Sequence, residues 1–166
     1  GACAHTCPTD AISDVFQSKS AAVDKKVRTT CSYCGVGCNL EASIKNEKVV
    51  AIDTPKQTEV NAGHTCIKGR YAFGFYDHPD RLKTPLIKRN GKFEEASWDE
   101  AYDFIKKEMQ RIIKDHGPDA FAGISSARCT NEENYVFQKM IRAAVGTNSV
   151  DCCARICHSP TAWGMQ

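Results

Sequence analysis

The chain has 166 residues, 42% apolar and 25% charged, a globular composition that excludes a disordered segment and still allows a core. Its 22 basic and 20 acidic residues nearly balance, which argues against a nucleic-acid or anionic-lipid surface. No run reaches the roughly 18 apolar residues that cross a bilayer, and the opening GACAHTCPTD has neither the basic nor the apolar part of a signal peptide.

A cytoplasmic, reducing location is therefore expected. There, ten cysteines point to metal binding or redox chemistry rather than disulfides. The first two, Cys3 and Cys7, form C-x3-C-P with Pro8. Two-cluster bacterial ferredoxins end their ligand run this way, the cysteine before proline serving the other cluster. Residues 1–13 are thus expected to be the C-terminal remnant of a ferredoxin-like module, with Cys3 and Cys7 as ligands of its 4Fe-4S clusters. Two free thiols are the plainer alternative. The polar, weakly patterned 14–27 reads as a linker.

A small cysteine-rich β domain is expected over 28–84. CSYCGVGC and HTCIKGR place Cys31, Cys34, Cys38 and Cys66 at C-x2-C-x3-C-x27-C. A 4Fe-4S cluster needs four thiolates at the corners of a tetrahedron, wrapped by backbone that aims N–H groups at sulfur. Gly35 and Gly37 suit such a path because glycine tolerates positive φ and close approach. Structural zinc is the rival, but it usually pairs two short knuckles, and here the fourth ligand stands alone. Leu40, Ala42 and Ile44, then Val50 and Ile52, flank Asn46-Glu47 as a hairpin with one apolar face. Lys68, taken alone, reads as a solvated surface residue.

From 85 to 166 the pattern becomes α/β. LIKRNGKFEE is a hairpin turning at Asn90-Gly91, and Ser97 with Glu100 forms a capping box. Ala101, Phe104, Ile105, Met109, Ile112 and Ile113 follow at helical spacing as core residues, and Gly117-Pro118 stops the helix. AFAGI reads as a buried strand. Thr130 and Glu133 suggest a second capping box, and Tyr135, Val136, Met140, Ile141 and Ala144 a second helix stopped at Gly146. NSVD is the next strand, completing a parallel βαβ unit whose ligands belong at the carboxyl ends of its strands. The loops SSARCT and CCARICHSP are expected to leave from those ends. In the second, Cys157 offers a soft metal ligand and His158 a proton acceptor. A buried structural pair and a thiol nucleophile are the alternatives. Cys129, Cys152 and Cys153 are read as structural.

The cysteine spacing, Lys68, TNEENY at 130–135 and above all VDCCARICHSPT closely resemble the catalytic subunits of molybdenum- or tungsten-dependent formate dehydrogenases, in the molybdopterin oxidoreductase family. The resemblance runs from about residue 28 to the end. It implies that Cys31, Cys34, Cys38 and Cys66 hold a 4Fe-4S cluster and that Cys157 binds the metal of a bis-molybdopterin guanine dinucleotide. It places His158 beside the substrate and Lys68 on the electron path between pterin and cluster. The implied activity is reversible oxidation of formate to carbon dioxide. The implied partners are iron-sulfur or flavin electron-transfer subunits, with no nucleic acid and no membrane span. Family members are several times longer, so an N-terminal fragment, inactive alone, is expected. Nitrate reductases and the metal-free iron-sulfur subunit of respiratory complex I are the related alternatives; a zinc-stabilised binding domain is the unrelated one.

Overall fold

The computed structural model describes residues 2–9, 11–12 and 22–166. Contacts group Gly1–Pro79 with Arg128–Asn131 as one unit, and Asp80–Ala127 with Glu132–Gln166 as another. The expected linker over 14–27 lies in part outside the described residues. The division after Pro79 falls ahead of the boundary expected at 85.

The first unit opens with a short helix, α1 (Ala2–Thr6). Its sheet contains β1 (Lys25–Thr30), β2 (Asn39–Lys45) and β3 (Lys48–Asp53), antiparallel in that order. β1 starts at Lys25, before the domain start expected at 28. A fully exposed strand of this kind carries no apolar alternation by which sequence could announce it. The β2–β3 hairpin turns at Asn46 (φ 48°) and Glu47 (φ 61°), the pair of left-handed residues that a two-residue turn needs to match strand twist.

Cys31, Leu40, Ala42 and Ile52 form the core of this unit, with Val49 and Phe73 packed against it. Val49 replaces the expected Val50 because the ladder shifts between Ser43 and Ile44. Ala51 pairs with Ser43 and Val49 with Ile44, so Val50 is bulged out of register. Beyond the sheet, α2 (Ile67–Tyr71) follows Cys66, its N-cap residue.

In the second unit, β4 (Leu86–Arg89) and β5 (Lys92–Glu95) form the expected hairpin, turning at Asn90 (φ 49°) and Gly91 (φ 83°). The helix α3 (Trp98–His116) has both halves of its capping box. Glu100 N donates to Ser97 Oγ at 3.2 Å, and Ser97 N to Glu100 Oε2 at 3.0 Å. Ser97→Ala is expected to cost about 1 kcal/mol, read as a lower urea midpoint with an unchanged slope.

The apolar stripe of α3 differs from expectation: no residue of this helix is buried. Phe104 and Ile105 are each 51% exposed, whereas Ala101, Met109, Ile112 and Ile113 are half-buried, so the described residues cover the stripe only in part. The expected strand AFAGI is also shorter, since Pro118–Ala120 forms a 3-10 turn and β6 covers Gly123–Ser125. Only Gly123 in it is buried, against Phe137 and Ile141.

The helix α4 (Asn131–Lys139) starts directly after Thr130. At Met140–Val145 it widens into a π-helical turn that buries Ile141 and Val145 and ends at Gly146 (φ 88°). β7 (Val150–Cys152) then pairs parallel with β6, giving the βαβ arrangement read from sequence. The following segment is helix rather than loop: α5 spans Ala154–Gly164. No helix among the described residues is long and apolar enough to cross a membrane.

Candidate functional site

The loop from Cys31 to Cys38 is the connection between β1 and β2, closed by Cys31 N donating to Cys38 O at 2.8 Å. Three of the four candidate cluster ligands therefore ride on one hairpin connection. Gly37 takes the positive φ that the path requires (64°). Gly35 does not; there the constraint is space, because a Cβ would collide with the Asn131 side chain, whose Nδ2 donates to Gly35 O at 2.9 Å.

The segment that carries the fourth thiol is tied down by the side-chain amide of Asn61. Asn61 Oδ1 accepts from Asn39 N at 2.8 Å and its Nδ2 donates to His64 O at 2.5 Å. This ties the segment before Cys66 to the residue after Cys38. Gly69 then packs against the site, since a Cβ there would stand 3.3 Å from Cys31 Sγ.

The electrostatics separate the thiols. Burial pushes the Cys31 thiol above its ordinary range, partly offset by the Tyr33 backbone donor, and nearby Cys38, Cys66 and Cys34 add to the rise. Cys66 is shifted down, chiefly because the Gly69 N–H points at it, with help from the Lys68 N–H and Lys68 charge. Thiolates receiving backbone N–H groups are the donor set an iron-sulfur cluster takes. Thr65 Oγ1, buried beside Cys66, has no partner among the described residues, so a sulfur acceptor would satisfy it. These residues fit a cluster. Among the described residues no three His, Cys, Asp or Glu side chains converge to grip a single metal ion.

Aromatic residues shield one side. Tyr33 OH donates to Ala72 O, and its ring meets Phe75 edge-on at 5.9 Å. A cavity of about 150 Å³ beside Cys31 is lined by Leu40, Ile52, Phe73, Phe75 and Tyr76 among others.

In the second unit, β7 leads straight into α5, and Cys153 joins the two. Its N donates to Ser125 O at 3.0 Å, and its O accepts from Cys157 N at 3.1 Å. Its Sγ accepts from Ala127 N at 3.3 Å. Cys153 was read from sequence as structural, and its role here is structural: it anchors the first turn of α5 to the end of β6.

Cys157 and His158 lie one turn further along, both exposed, with Cys157 Sγ 3.1 Å from His158 Nδ1. Arg155 Nε holds Asp151 Oδ2 at 2.7 Å. Asp151 sits below the usual carboxylate range, first because Cys152 N donates to it and then because of Arg155. An exposed thiol paired with an imidazole at the carboxyl end of a parallel strand is suited to one soft protein ligand of a metal.

At the N-terminus, Cys7 is lowered to about 7, chiefly by Thr9 Oγ1 at 3.5 Å and then by backbone N–H groups of Thr9, Ile12 and Ala11. Cys3 is exposed. Lys68 is exposed on α2.

The sequence model of the family described as Molybdopterin oxidoreductase matches residues 81–166. The chain belongs to the molybdopterin oxidoreductase family. Residues 24–78 match that family's Fe4S4 domain, which removes zinc as the reading of the cysteine loop. The chain is 48% identical over 139 residues to the alpha subunit of an F420-dependent formate dehydrogenase from Methanococcus maripaludis, covering 84% of this chain and 20% of that protein. A Staphylococcus aureus (strain USA300) protein provisionally named formate dehydrogenase is 40% identical over 158 residues, covering 95% of this chain and 16% of that protein. The chain thus spans between 16% and 20% of the length of these two relatives. Acetylene hydratase from Pelobacter acetylenicus shares the fold of this molybdopterin oxidoreductase chain, with a TM-score of 0.58 at 24% identity over 83% of this chain and 20% of that one.

Proposed function

We propose that the chain is part of the catalytic subunit of a formate dehydrogenase that oxidises formate reversibly to carbon dioxide. The observation that carries the reading is the Cys157–His158 pair at the start of α5, in a family chain similar to relatives with that name. Cys31, Cys34, Cys38 and Cys66 hold a 4Fe-4S cluster. Cys157 holds molybdenum or tungsten carried by a bis-molybdopterin guanine dinucleotide. The bound metal supplies a two-electron acceptor and a Lewis acid.

Oxidation of formate to carbon dioxide releases one proton and two electrons. His158 Nδ1 faces Cys157 Sγ, which leaves Nε2 as the ring nitrogen to take the proton, a general-base role that imidazoles serve. Exposed Lys68 assists electron passage toward the cluster. Cys3 and Cys7 belong to a ferredoxin-like module that passes electrons on; the N–H groups around Cys7 support this, being the surroundings of a cluster ligand. Iron-sulfur or flavin subunits receive the electrons, in the cytoplasm.

The test is formate-dependent dye reduction by the full enzyme isolated anaerobically, with elemental analysis. Iron with molybdenum or tungsten, and formate turnover, is expected. Nitrate turnover without formate turnover, or iron alone, would overturn the reading. Lys68→Ala is expected to slow reduction of the cluster by formate about tenfold or more in stopped flow, one order being about 1.4 kcal/mol of barrier, with iron content unchanged. An unchanged rate would remove Lys68 from the path.

A further inference from the structure

The sheet, the Cys66 loop and α2 meet at a buried charge. Arg70 is 3% exposed. Its Nη2 donates to Thr54 Oγ1 at 2.5 Å, and that hydroxyl donates to Gly63 O at 2.6 Å. Thr54 is itself buried. Gly63 (φ 83°) and Ala62 (φ 42°) form the left-handed bend that sends the chain to Cys66. The relay therefore pins the bend onto the end of β3. On the other side, Arg70 N donates to Cys66 O at 3.3 Å, and neighbouring Gly69 lies against Cys31 Sγ.

A guanidinium stays protonated at every accessible pH, and burying it is costly unless negative charge is near. Asp53 Oδ1 stands 4.0 Å from Arg70 Nη1, on a side chain that is 43% exposed and thus partly screened. A 4Fe-4S cluster on four thiolates is a net anion in both oxidation states, and reduction adds one more negative charge. A fixed cation in the same small unit favours the reduced form.

We propose that Arg70 is the positioning residue that sets the reduction potential of this cluster. Its buried charge raises the potential, while its relay through Thr54 to Gly63 fixes where Cys66 stands. The proposal rests on Cys31, Cys34, Cys38 and Cys66 being the cluster ligands.

The experiment is an anaerobic redox titration of the full enzyme with dithionite and mediators, following the cluster by electron paramagnetic resonance and iron by elemental analysis. Arg70→Gln, which keeps a donor and loses the charge, is expected to weaken one-electron reduction about tenfold, a drop of about 59 mV. Arg70→Lys, keeping the charge, stays near the wild-type midpoint. Thr54→Val lowers iron occupancy without moving the midpoint of loaded clusters, and Thr54→Ser restores occupancy. A wild-type midpoint in loaded Arg70→Gln overturns the proposal. Should that variant lose its iron, the cluster is rebuilt in it anaerobically with iron and sulfide before the titration, and a wild-type midpoint then overturns the proposal. Wild-type enzyme with no cluster signal overturns the ligand reading instead, whatever the variants do.

Discussion

Cys157→Ser is expected to lower formate turnover by at least about 100-fold while iron content and fold stay intact. Losing an outer partner of a metal ligand already costs roughly 10- to 100-fold, and here the ligand itself changes from a soft thiolate to a hard hydroxyl. The substitution is clean because Cys157 is exposed and its place on α5 is set by the backbone. Its N–H goes to Cys153 O, and its carbonyl accepts from Thr161 Oγ1 at 2.7 Å. Surface changes of this kind shift stability by no more than about 0.5 kcal/mol. Turnover, bound molybdenum or tungsten, iron and the unfolding midpoint should all be measured on one preparation. Wild-type formate turnover in this variant would remove Cys157 as the metal ligand.

Cys31→Ser is expected to abolish the cluster and to destabilise the first unit as well. Cys31 is 7% exposed and packs with Leu40, Ala42 and Ile52, so serine places a hydroxyl in an apolar setting at a cost of about 1–3 kcal/mol. Cys66→Ser should also lose the cluster, but Cys66 is exposed and the sheet beneath it remains. Iron content falls in both variants, while protease sensitivity of the cluster-free chain rises in Cys31→Ser alone. Equal sensitivity in the two would show that Cys31 contributes nothing to the core beyond its sulfur ligand.

The features legible from sequence are those whose cause is local. The loop from Cys31 to Cys38, the Asn46-Glu47 and Asn90-Gly91 turns and the Ser97–Glu100 capping box each follow from a few adjacent residues. The bulge at Val50 was not legible, because register depends on how two strands meet rather than on either pattern. The segment after β7 read as a loop, yet it is helical, with Pro160 inside α5 and Ser159 Oγ donating back to Ala154 O at 3.4 Å. Helix formers Ala154, Arg155 and Ile156 precede it and carry the helix through.

The candidate ligands were legible and their supports were not. Lys68 was read as exposed and is exposed. Arg70, two residues on, gave no signal, since arginines are almost never buried unless paired and its partner Thr54 comes from another element. The partner of Cys153 was hidden for the same reason, its donor Ala127 N lying beyond β6.

The hairpin position of the cysteine loop has a consequence for assembly. Chain entropy lost on closing a loop grows with the length closed, and Cys31, Cys34 and Cys38 are gathered by the short β1–β2 connection alone. Most of the entropic cost of collecting four ligands therefore falls on Cys66, which must await closure of the long segment that Asn61 fastens. A folding chain thus presents a three-thiol cup first and its closing ligand last.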